Sequence, residues 1–458
     1  MNAKTLRIPA VLGVDIGSTN SKVVVLDGEG RVAARLSRPT PRGPRDHRVD
    51  AMKLLMMLES MIIQACGERY GVRAIAIAGV GEDGVLVDAH MVPLTLALAW
   101  FDPLRAQAFG AFQAQLSADV DLGVADEPSR TLAGWHWARH QPGAQHASAW
   151  LALTDFVASH WAGTPFMSDT LAARTGAWDV RAGRWVEPRV RLCLGSMDLL
   201  PKVRRTGDCI GSLRSSALQA AGVLFEDARV VVGGHDHPIG GWGVSQMQPG
   251  AILDSMGTAE VVVAQATLRI TRGENVDVCA GIRSHGTTLL SVQELSRNVA
   301  WASEDPEVKV ALRAIITGSQ TPDEYVQSDC FVPGGRGGVA PMFTDQVPRR
   351  ALSRASAVAG ALSRLGNASV EQVAQHMAPD ALVFCAGGWA RSRGWIDLKR
   401  SLGSREIKVV AEPEVTAVGA ALLCAQAVGW DLDAEVALAA DPIACSSRPA
   451  YANPVPTT

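Results

Sequence analysis

The chain has 458 residues, of which 47% are hydrophobic and 19% are charged, and its formal net charge is −3. This composition is typical of a globular protein with large buried cores, and the length predicts two or three domains. The near balance of acidic and basic residues disfavours nucleic acids and anionic membranes as partners.

The cysteines, the N-terminal residues and the longest apolar run predict a cytoplasmic protein. Eight cysteines are scattered without a CxxC pair or a cysteine–histidine cluster at zinc spacing, so reduced and mostly buried thiols are expected. The first residues continue directly into an apolar strand, which does not fit a cleavable signal. The longest apolar run, residues 415–430, contains Thr416 and Gln426 and predicts a buried helix rather than a membrane span.

Residues 11–27, VLGVDIGSTNSKVVVLD, predict two apolar strands joined by a small polar turn. A carboxylate, bare backbone amides, two hydroxyls and a cation are available there, from Asp15, Gly17, Ser18, Thr19 and Lys22. This mixture of groups suits phosphates and a magnesium ion. A tight surface hairpin without a ligand is the alternative.

The following segments alternate between strand and helix patterns. Strands are predicted at 31–37, 72–78, 85–88 and 229–233, helices at 50–66, 131–140 and 148–161, and a loop at 39–48. Later in the chain, helices are predicted at 345–365 and 369–376, and a strand at 382–386. The whole pattern indicates a strand-rich mixed α/β fold.

The pentapeptide GGHDH, residues 233–237, follows a strand with three consecutive valines. It places Asp236 at the carboxyl end of a sheet, where α/β proteins bind ligands. A carboxylate there can accept the proton of a hydroxyl group that attacks phosphorus. The alternative is that Asp236 only caps the following turn. His235 and His237 have no third metal ligand nearby in the sequence, so structural roles are expected for both.

Residues 250–265, GAILDSMGTAEVVVAQ, repeat the hairpin pattern in the second half of the chain. Strands at 251–254 and 261–264 flank a small turn that contains Gly257 and Thr258. Two such loops, one in each half, can close on a triphosphate from opposite sides. We therefore expect two similar α/β domains with a nucleotide between them.

The motifs together resemble the FGGY carbohydrate kinases. The resemblance rests on DIGSTNSK, GGHDH and SMGTAE, on Gly387 and Gly388, and on GAA at 419–421, and it extends from about residue 11 to about residue 428. Weaker similarities lie at 99–106, 152–163, 168–179 and 200–203. The resemblance implies an α/β fold with two similar ribonuclease H-like (actin-like ATPase) domains, at 1–246 and 247–458, and a cleft between them.

The same resemblance implies a kinase that uses ATP and Mg²⁺ to phosphorylate a sugar, ketose or polyol. Asp236 matches the catalytic base, and Asp15 lies near the magnesium ion. The implied ATP-binding residues are Asp15, Gly17, Ser18, Thr19 and Lys22 in the first hairpin, Gly257 and Thr258 in the second phosphate loop, and Gly387 and Gly388 at the adenosine site. The GAA segment is expected to pack against a neighbouring helix.

The acceptor side rests on two matched elements. The segment GEDG, residues 81–84, matches the loop that contacts acceptor hydroxyls, and Glu82 takes the position of a histidine in xylulose kinases and a glutamate in glycerol kinases. Asp83 accompanies it, and an acidic surface turn is the alternative. Trp100, Asp102 and Arg105 resemble a W-x-D-x-R element, although the arginine comes one residue later than usual.

A neutral ketose or polyol, such as a xylulose-like pentose or a C3–C5 polyol, is the expected acceptor. The matched acceptor loops hold no cluster of arginines or lysines that would bind a phosphorylated substrate.

The segment GGRGGVAP, 334–341, replaces a longer loop of the family. The resemblance therefore leaves the nucleotide and subunit contacts open, and a homodimer is compatible with it. Two alternatives remain, a non-catalytic sugar-binding sensor and an actin-like ATPase; intact Asp15, Asp236 and Thr258 disfavour the sensor.

Overall fold

The computed structural model describes residues 7–44, 46–117, 122–335 and 339–439. The strands are β1 Ile8–Ile16, β2 Asn20–Asp27, β3 Val32–Pro39, β4 Tyr70–Gly79, β5 Gly84–Val87, β6 Ala149–Ala152, β7 Phe166–Ser168, β8 Trp178–Asp179, β9 Arg184–Trp185, β10 Lys202–Arg204, β11 Cys209–Ser212, β12 Leu224–His235, β13 Ile252–Met256, β14 Ala259–Ala266, β15 Asp277–Ala280, β16 Thr287–Glu294, β17 Phe331–Val332, β18 Met342–Phe343, β19 Val383–Ala386 and β20 Ile407–Val409. The α-helices are α1 Ala51–Cys66, α2 Leu104–Gly110, α3 Thr131–Ala138, α4 Leu153–Ala162, α5 Asp169–Ala172, α6 Glu187–Cys193, α7 Ser216–Ala220, α8 Asp236–Met247, α9 Ser296–Ala302, α10 Pro306–Thr317, α11 Ala351–Ala374, α12 Arg393–Leu402, α13 Val415–Ala427 and α14 Ala434–Ala439.

The first large sheet has the strand order β11-β12-β4-β1-β2-β3. Strands β1, β2 and β3 form an antiparallel meander, and β4 and β12 extend it in parallel with β1. From Ala10 to Ile16 the residues of β1 are buried on both faces, which explains the nearly continuous hydrophobic sequence of this strand. In the hairpin of β1 and β2, Asp15 lies opposite Lys22.

The second large sheet repeats this arrangement, with the order β15-β16-β14-β13-β19-β20. Strands β13, β14 and β16 form the antiparallel meander, and β19 and β20 continue in parallel with β13. Each sheet therefore contains the same five-stranded core with one additional edge strand. The prediction of two similar α/β units, each containing a β-hairpin, is confirmed.

Two helices cross between the sheets. Helix α8 follows β12 of the first sheet and packs on β13 and β14 of the second, whereas α13 packs on β1 and β4 of the first sheet and on α8. A Cβ atom at Gly13 would lie 1.7 Å from the carbonyl oxygen of Ala417, and one at Gly419 would lie 2.5 Å from that of Ile239. Glycine is required at both positions because backbones meet there, and the expected packing of the GAA segment is confirmed.

The apolar run at 415–430 forms the buried helix α13, as predicted. Throughout the described ranges, no helix has the combination of length and apolarity needed to cross a bilayer. The seven cysteines within these ranges are free, and six of them are buried; Cys209 is exposed. Cys445 lies outside the described residues, as do residue 45 of the predicted loop 39–48 and residues 336–338 of the predicted loop 334–341.

Three predicted helices differ from the structure. The segment 148–161 begins as the strand β6, which pairs with β5, and becomes helical only at Leu153. The helices predicted at 345–365 and 369–376 form the single helix α11, which begins at Ala351. Gly366 does not end this helix, because its role is close packing: a Cβ atom there would lie 2.0 Å from Oε1 of Glu260.

Candidate active site

The first phosphate hairpin places Asp15 at the end of β1, where its side chain is buried. Its Oδ2 atom accepts a hydrogen bond from Nζ of Lys22 at 3.0 Å, and the same ammonium lies 3.2 Å from Oε2 of Glu414. The two carboxylates raise the pKa of Lys22 well above its usual range, with Asp15 as the larger cause. Oδ1 of Asp15 is buried and has no hydrogen-bond partner among the described residues. An unpartnered carboxylate oxygen in this position fits a ligand for Mg²⁺.

The second phosphate loop is the short turn between β13 and β14, where Gly257 is partly exposed and Thr258 is exposed. Ser296, the first residue of α9, holds the turn: its backbone N–H donates to the carbonyl oxygen of Thr258 at 3.0 Å. Its hydroxyl donates to the carbonyl oxygen of Gly257 at 2.9 Å. The turn is thus fixed by backbone contacts, while the Thr258 side chain remains accessible.

The end of β19 lies beside this turn. Gly387 has a φ of +87°, and a Cβ atom there would lie 2.3 Å from the carbonyl oxygen of Met256. Both observations require glycine. A Cβ atom at Gly388 would have no heavy atom within 4 Å, so its surroundings are open. The structure therefore brings Gly387, Gly388, Gly257 and Thr258 to one edge of the second sheet.

Asp236 is the first residue of α8 and directly follows β12. Its Oδ1 atom accepts a hydrogen bond from the backbone N–H of His237 at 2.7 Å, which satisfies one free N–H group of the first turn, although no side chain caps the N-terminus of α8 at His235. Burial raises the pKa of Asp236, and the charges of Asp15 and Glu82 add to this effect, while His237 opposes it. This carboxyl group is therefore electrostatically coupled to both the first phosphate hairpin and the acceptor loop.

The histidines on either side of Asp236 contact its carboxylate. Nε2 of His235 lies 3.3 Å from Oδ1 of Asp236, and Nε2 of His237 lies 3.7 Å from it. Burial and the nearby Arg174 keep the pKa of His235 well below its ordinary value, so its imidazole is neutral. Within the part of the chain that the structure describes, no group of three or more His, Cys, Asp or Glu side chains could hold a metal ion.

The acceptor loop is buried, so an acidic surface turn does not describe Glu82 and Asp83. Oε1 of Glu82 accepts hydrogen bonds from Arg174, at 2.8 Å from Nε and 2.6 Å from Nη2. Burial alone would raise the pKa of Glu82, but Arg174 and Arg130 outweigh it and hold the pKa below its ordinary value. Asp83 lies 3.1 Å from Nη2 of Arg42, and burial nevertheless raises its pKa.

The three residues of the W-x-D-x-R-like element lie in different environments. The indole Nε1 of Trp100 donates to Oγ of Ser18 at 2.9 Å, which places the ring beside the first phosphate hairpin. Asp102 accepts from the backbone N–H of Leu104 at 2.9 Å, so it stabilises the start of α2. Arg105 is buried and donates to backbone carbonyl groups, including that of Glu82 at 2.9 Å. Arg105 therefore has a structural role.

Three arginines that were not predicted from the sequence surround the acceptor loop. Arg42, Arg130 and Arg174 come from outside the matched loops, and all three contact carboxylates. Arg130 and Arg174 also bind Asp277 of the second sheet, at 2.9 Å and 3.2 Å. Only Arg174 lies in a segment with a recognised resemblance, 168–179; neither of the others had a sequence signal.

The repeated sheet order, the crossing helices and the paired hairpins define a two-domain α/β protein with the fold of the sugar kinases. The sequence model of the family described as "FGGY family of carbohydrate kinases, N-terminal domain" matches residues 10–243. Because this match covers half of the chain, the protein belongs to the FGGY family of carbohydrate kinases. Sugar kinases of this family use ATP, with Mg²⁺ as the usual metal.

Relatives along the whole chain agree with this assignment. The L-fuculokinase of Escherichia coli (strain K12) is 25% identical, over 92% of this chain and 92% of its own. The xylulose kinase of Streptomyces rubiginosus is 26% identical, over 92% of this chain and 88% of its own.

Solved structures show the fold. The xylulose kinase from Rhodospirillum rubrum has a TM-score of 0.79 at 20% identity and covers 94% of this chain and 92% of its own. The gluconate kinase from Lactobacillus acidophilus has a TM-score of 0.80 at 16% identity, with coverages of 94% and 91%. The predicted fold of two ribonuclease H-like domains is thereby confirmed.

Proposed function

We propose that this protein transfers the γ-phosphoryl group of ATP to a hydroxyl group of a neutral ketose or polyol, with Asp236 as the general base. The expected acceptor is a xylulose-like pentose or a C3–C5 polyol. One observation carries the proposal: a partly buried carboxyl group lies at the junction of β12 and α8, and the charges of both Asp15 and Glu82 contribute to raising its pKa. A base in this position would serve the acceptor and the phosphates at once.

The nucleotide would bind between the two hairpins. The amides and hydroxyls of Gly17, Ser18 and Thr19 would contact its phosphates from one side, with Lys22, and Gly257 and Thr258 would do so from the other. Gly387 and Gly388 would let the purine approach the backbone. Asp15 would hold Mg²⁺, which when bound neutralises charge on the phosphates. This assignment agrees with the division into domains 1–246 and 247–458, since the boundary falls at the end of α8.

Asp236 would accept the proton of the attacking hydroxyl group as the oxygen–phosphorus bond forms and the bond to ADP breaks. The proton moves from the acceptor oxygen to the carboxylate, so Asp236 must be ionised before the reaction. A raised pKa makes this carboxylate a stronger base, which favours the transfer. The backbone N–H of His237 orients Oδ1, and the neutral His235 lies beside it.

Glu82, Asp83, Trp100 and Asp102 are the proposed acceptor contacts. Oε1 of Glu82 is already engaged by Arg174, so this loop is rigid before the acceptor binds. A neutral acceptor is supported because the guanidinium groups of Arg42 and Arg174 already contact carboxylates within the protein. The names of the relatives point to ketose acceptors, namely xylulose and L-fuculose.

The test is ADP release by the purified protein with Mg·ATP, against a panel of C3 to C7 ketoses and polyols that includes xylulose and L-fuculose. We expect one acceptor to raise the rate at least tenfold above the rate without acceptor. Equal ADP release with and without every acceptor would favour an actin-like ATPase. Sugar binding without turnover would favour a non-catalytic sensor. Reactions without Mg²⁺ are the control, and they should lose the stimulated rate.

A further inference from the structure

A cluster of three charged side chains is fully buried beneath the second phosphate loop. Asp254 lies on β13, Glu260 on β14 and Lys399 on α12, and each is at most 1% exposed. Nζ of Lys399 donates to Oδ2 of Asp254 at 2.6 Å and to Oε1 of Glu260. None of the three belongs to the proposed contacts with nucleotide or acceptor.

The position of the cluster connects it to nucleotide binding. Asp254 and Glu260 lie on opposite strands of the hairpin whose turn contains Gly257 and Thr258. Lys399 lies on the helix that follows the proposed adenosine glycines. One ammonium group therefore joins both strands of the phosphate hairpin to α12.

The residues around the cluster leave little space for rearrangement. Asp254 is paired with Cys385 across β13 and β19, and the Cys385 thiol lies 3.8 Å from its Oδ2. Gly366 of α11 covers Glu260 so closely that a Cβ atom there would lie 2.0 Å from Oε1. A methyl group cannot be added at this contact without displacing the Glu260 carboxyl group. The hairpin is thus held from α11, α12 and β19.

We propose that Lys399 is a positioning residue that clamps the two strands of the second phosphate hairpin, so that Gly257 and Thr258 are preorganised for the nucleotide phosphates. The inference rests on the proposed function, because that proposal assigns the turn to the nucleotide. Lys399 itself lies beneath the turn and acts through the hairpin. Its loss is expected to weaken nucleotide binding and to leave acceptor binding unchanged.

The cluster is also expected to make nucleotide affinity depend on pH, through the ionisation of Glu260. Burial and the charge of Asp254 raise the pKa of Glu260 to about 8, against the opposing effect of Lys399. The groups that face Glu260 are Asp254 on β13, Lys399 on α12 and Cys385 on β19. Below pH 8 Glu260 is protonated, and the negative charge of Asp254 and the positive charge of Lys399 cancel. Above pH 8 its ionisation adds a negative charge beneath the phosphates, which are themselves fully ionised there, so nucleotide affinity falls.

The test is calorimetric titration of the full-length protein with Mg·ADP between pH 7 and pH 9. Lys399→Met is expected to raise Kd at least tenfold at pH 7.5, while the exposed Lys408→Met control keeps the wild-type value. Glu260→Gln is expected to bind normally at pH 7.5 and to lose the fall in affinity that the wild type shows above pH 8. That second result is one that a purely structural role would not produce.

Lys399→Met leaves two buried carboxyl groups without a cation, so a control variant is needed to separate misfolding from the loss of the clamp. The uncharged combination Lys399→Met, Asp254→Asn and Glu260→Gln removes the imbalance together with the clamp. We expect this variant to fold and still to bind Mg·ADP at least tenfold more weakly. The inference would be overturned if the triple variant bound Mg·ADP with wild-type affinity. It would also be overturned if Glu260→Gln and the wild type showed the same pH profile of Mg·ADP affinity. Failure of the wild type to bind Mg·ADP would instead refute the proposed function.

Discussion

Replacing Arg174 by methionine tests how the acceptor loop is built. In the structure this guanidinium holds Glu82 through two hydrogen bonds and also lies 3.2 Å from Oδ2 of Asp277. Methionine retains apolar bulk but leaves Glu82, which is 6% exposed, with Arg130 at 3.8 Å as its remaining partner. Breaking a buried ion pair costs about 3–5 kcal/mol. Since Arg130 stays close to Glu82, we expect Arg174→Met to lower the free energy of unfolding by about 3 kcal/mol.

The loss should depend on pH in a defined direction. In the wild type the pKa of Glu82 is below its ordinary value, so its ion pairs stabilise the protein at neutral pH and are lost as the pH falls through that pKa. Without Arg174, burial dominates and raises the pKa of Glu82 above its unfolded value of about 4.3. The variant then loses stability as the pH rises above that value. Its deficit relative to the wild type must therefore be larger at pH 8 than at pH 5.

Urea unfolding followed by tryptophan fluorescence at both pH values measures this difference. Arg191→Met is the matched control, because Arg191 is 59% exposed and pairs with the exposed Glu187 one helical turn away. We expect the control to change the unfolding free energy by no more than about 0.5 kcal/mol. A loss below about 1 kcal/mol for Arg174→Met, or an equal loss at pH 5 and pH 8, would refute the reasoning.

Two further predictions concern the core. Burial raises the pKa of Asp155 to about 7, so the folded wild type binds more protons than the unfolded chain between about pH 4 and pH 7 and loses stability over that range. Asp155→Asn, followed by thermal unfolding, should therefore gain stability relative to the wild type between pH 5 and pH 8; an equal difference at both pH values would contradict this. Gly13→Ala forces a methyl group to within 1.7 Å of the Ala417 carbonyl oxygen, and we expect a loss of about 3 kcal/mol in urea unfolding. Gly28→Ala, where the added Cβ meets nothing within 4 Å, should change little, and similar losses in both would disprove the packing argument.

The sequence predicted the elements whose pattern is local. The hairpins at 11–27 and 250–265 were predictable because apolar runs flank short glycine-containing turns. The strand β6 was missed because its sequence, AWLA, suits a helix as well as a strand, and only pairing with β5 decides between them. The continuity of α11 between residues 365 and 369 was not predicted, because the reason for Gly366, its contact with Glu260, involves a distant strand.

The ion-pair partners of residues in and near the candidate site could not be predicted from the sequence, for a related reason. Glu82 was identified through the acceptor loop, but its partner Arg174 lies 92 positions away along the chain. The buried Lys399 likewise binds Asp254, 145 positions away. Spacing and composition carry no signal for such pairs, since tertiary packing alone brings them together. Burial of Glu82 and Asp83 followed from the same packing.

The most direct test of the account is the Asp236→Asn variant, assayed for ADP release with the acceptor that the panel identifies and for Mg·ADP binding. Loss of a general base predicts a decrease in kcat of about 10²–10⁴-fold. Binding of Mg·ADP should stay within about threefold of wild type, since Asp236 is not among the proposed nucleotide contacts. A kcat within tenfold of wild type would contradict the role of Asp236 as the base, as would a loss of activity explained entirely by lost Mg·ADP binding.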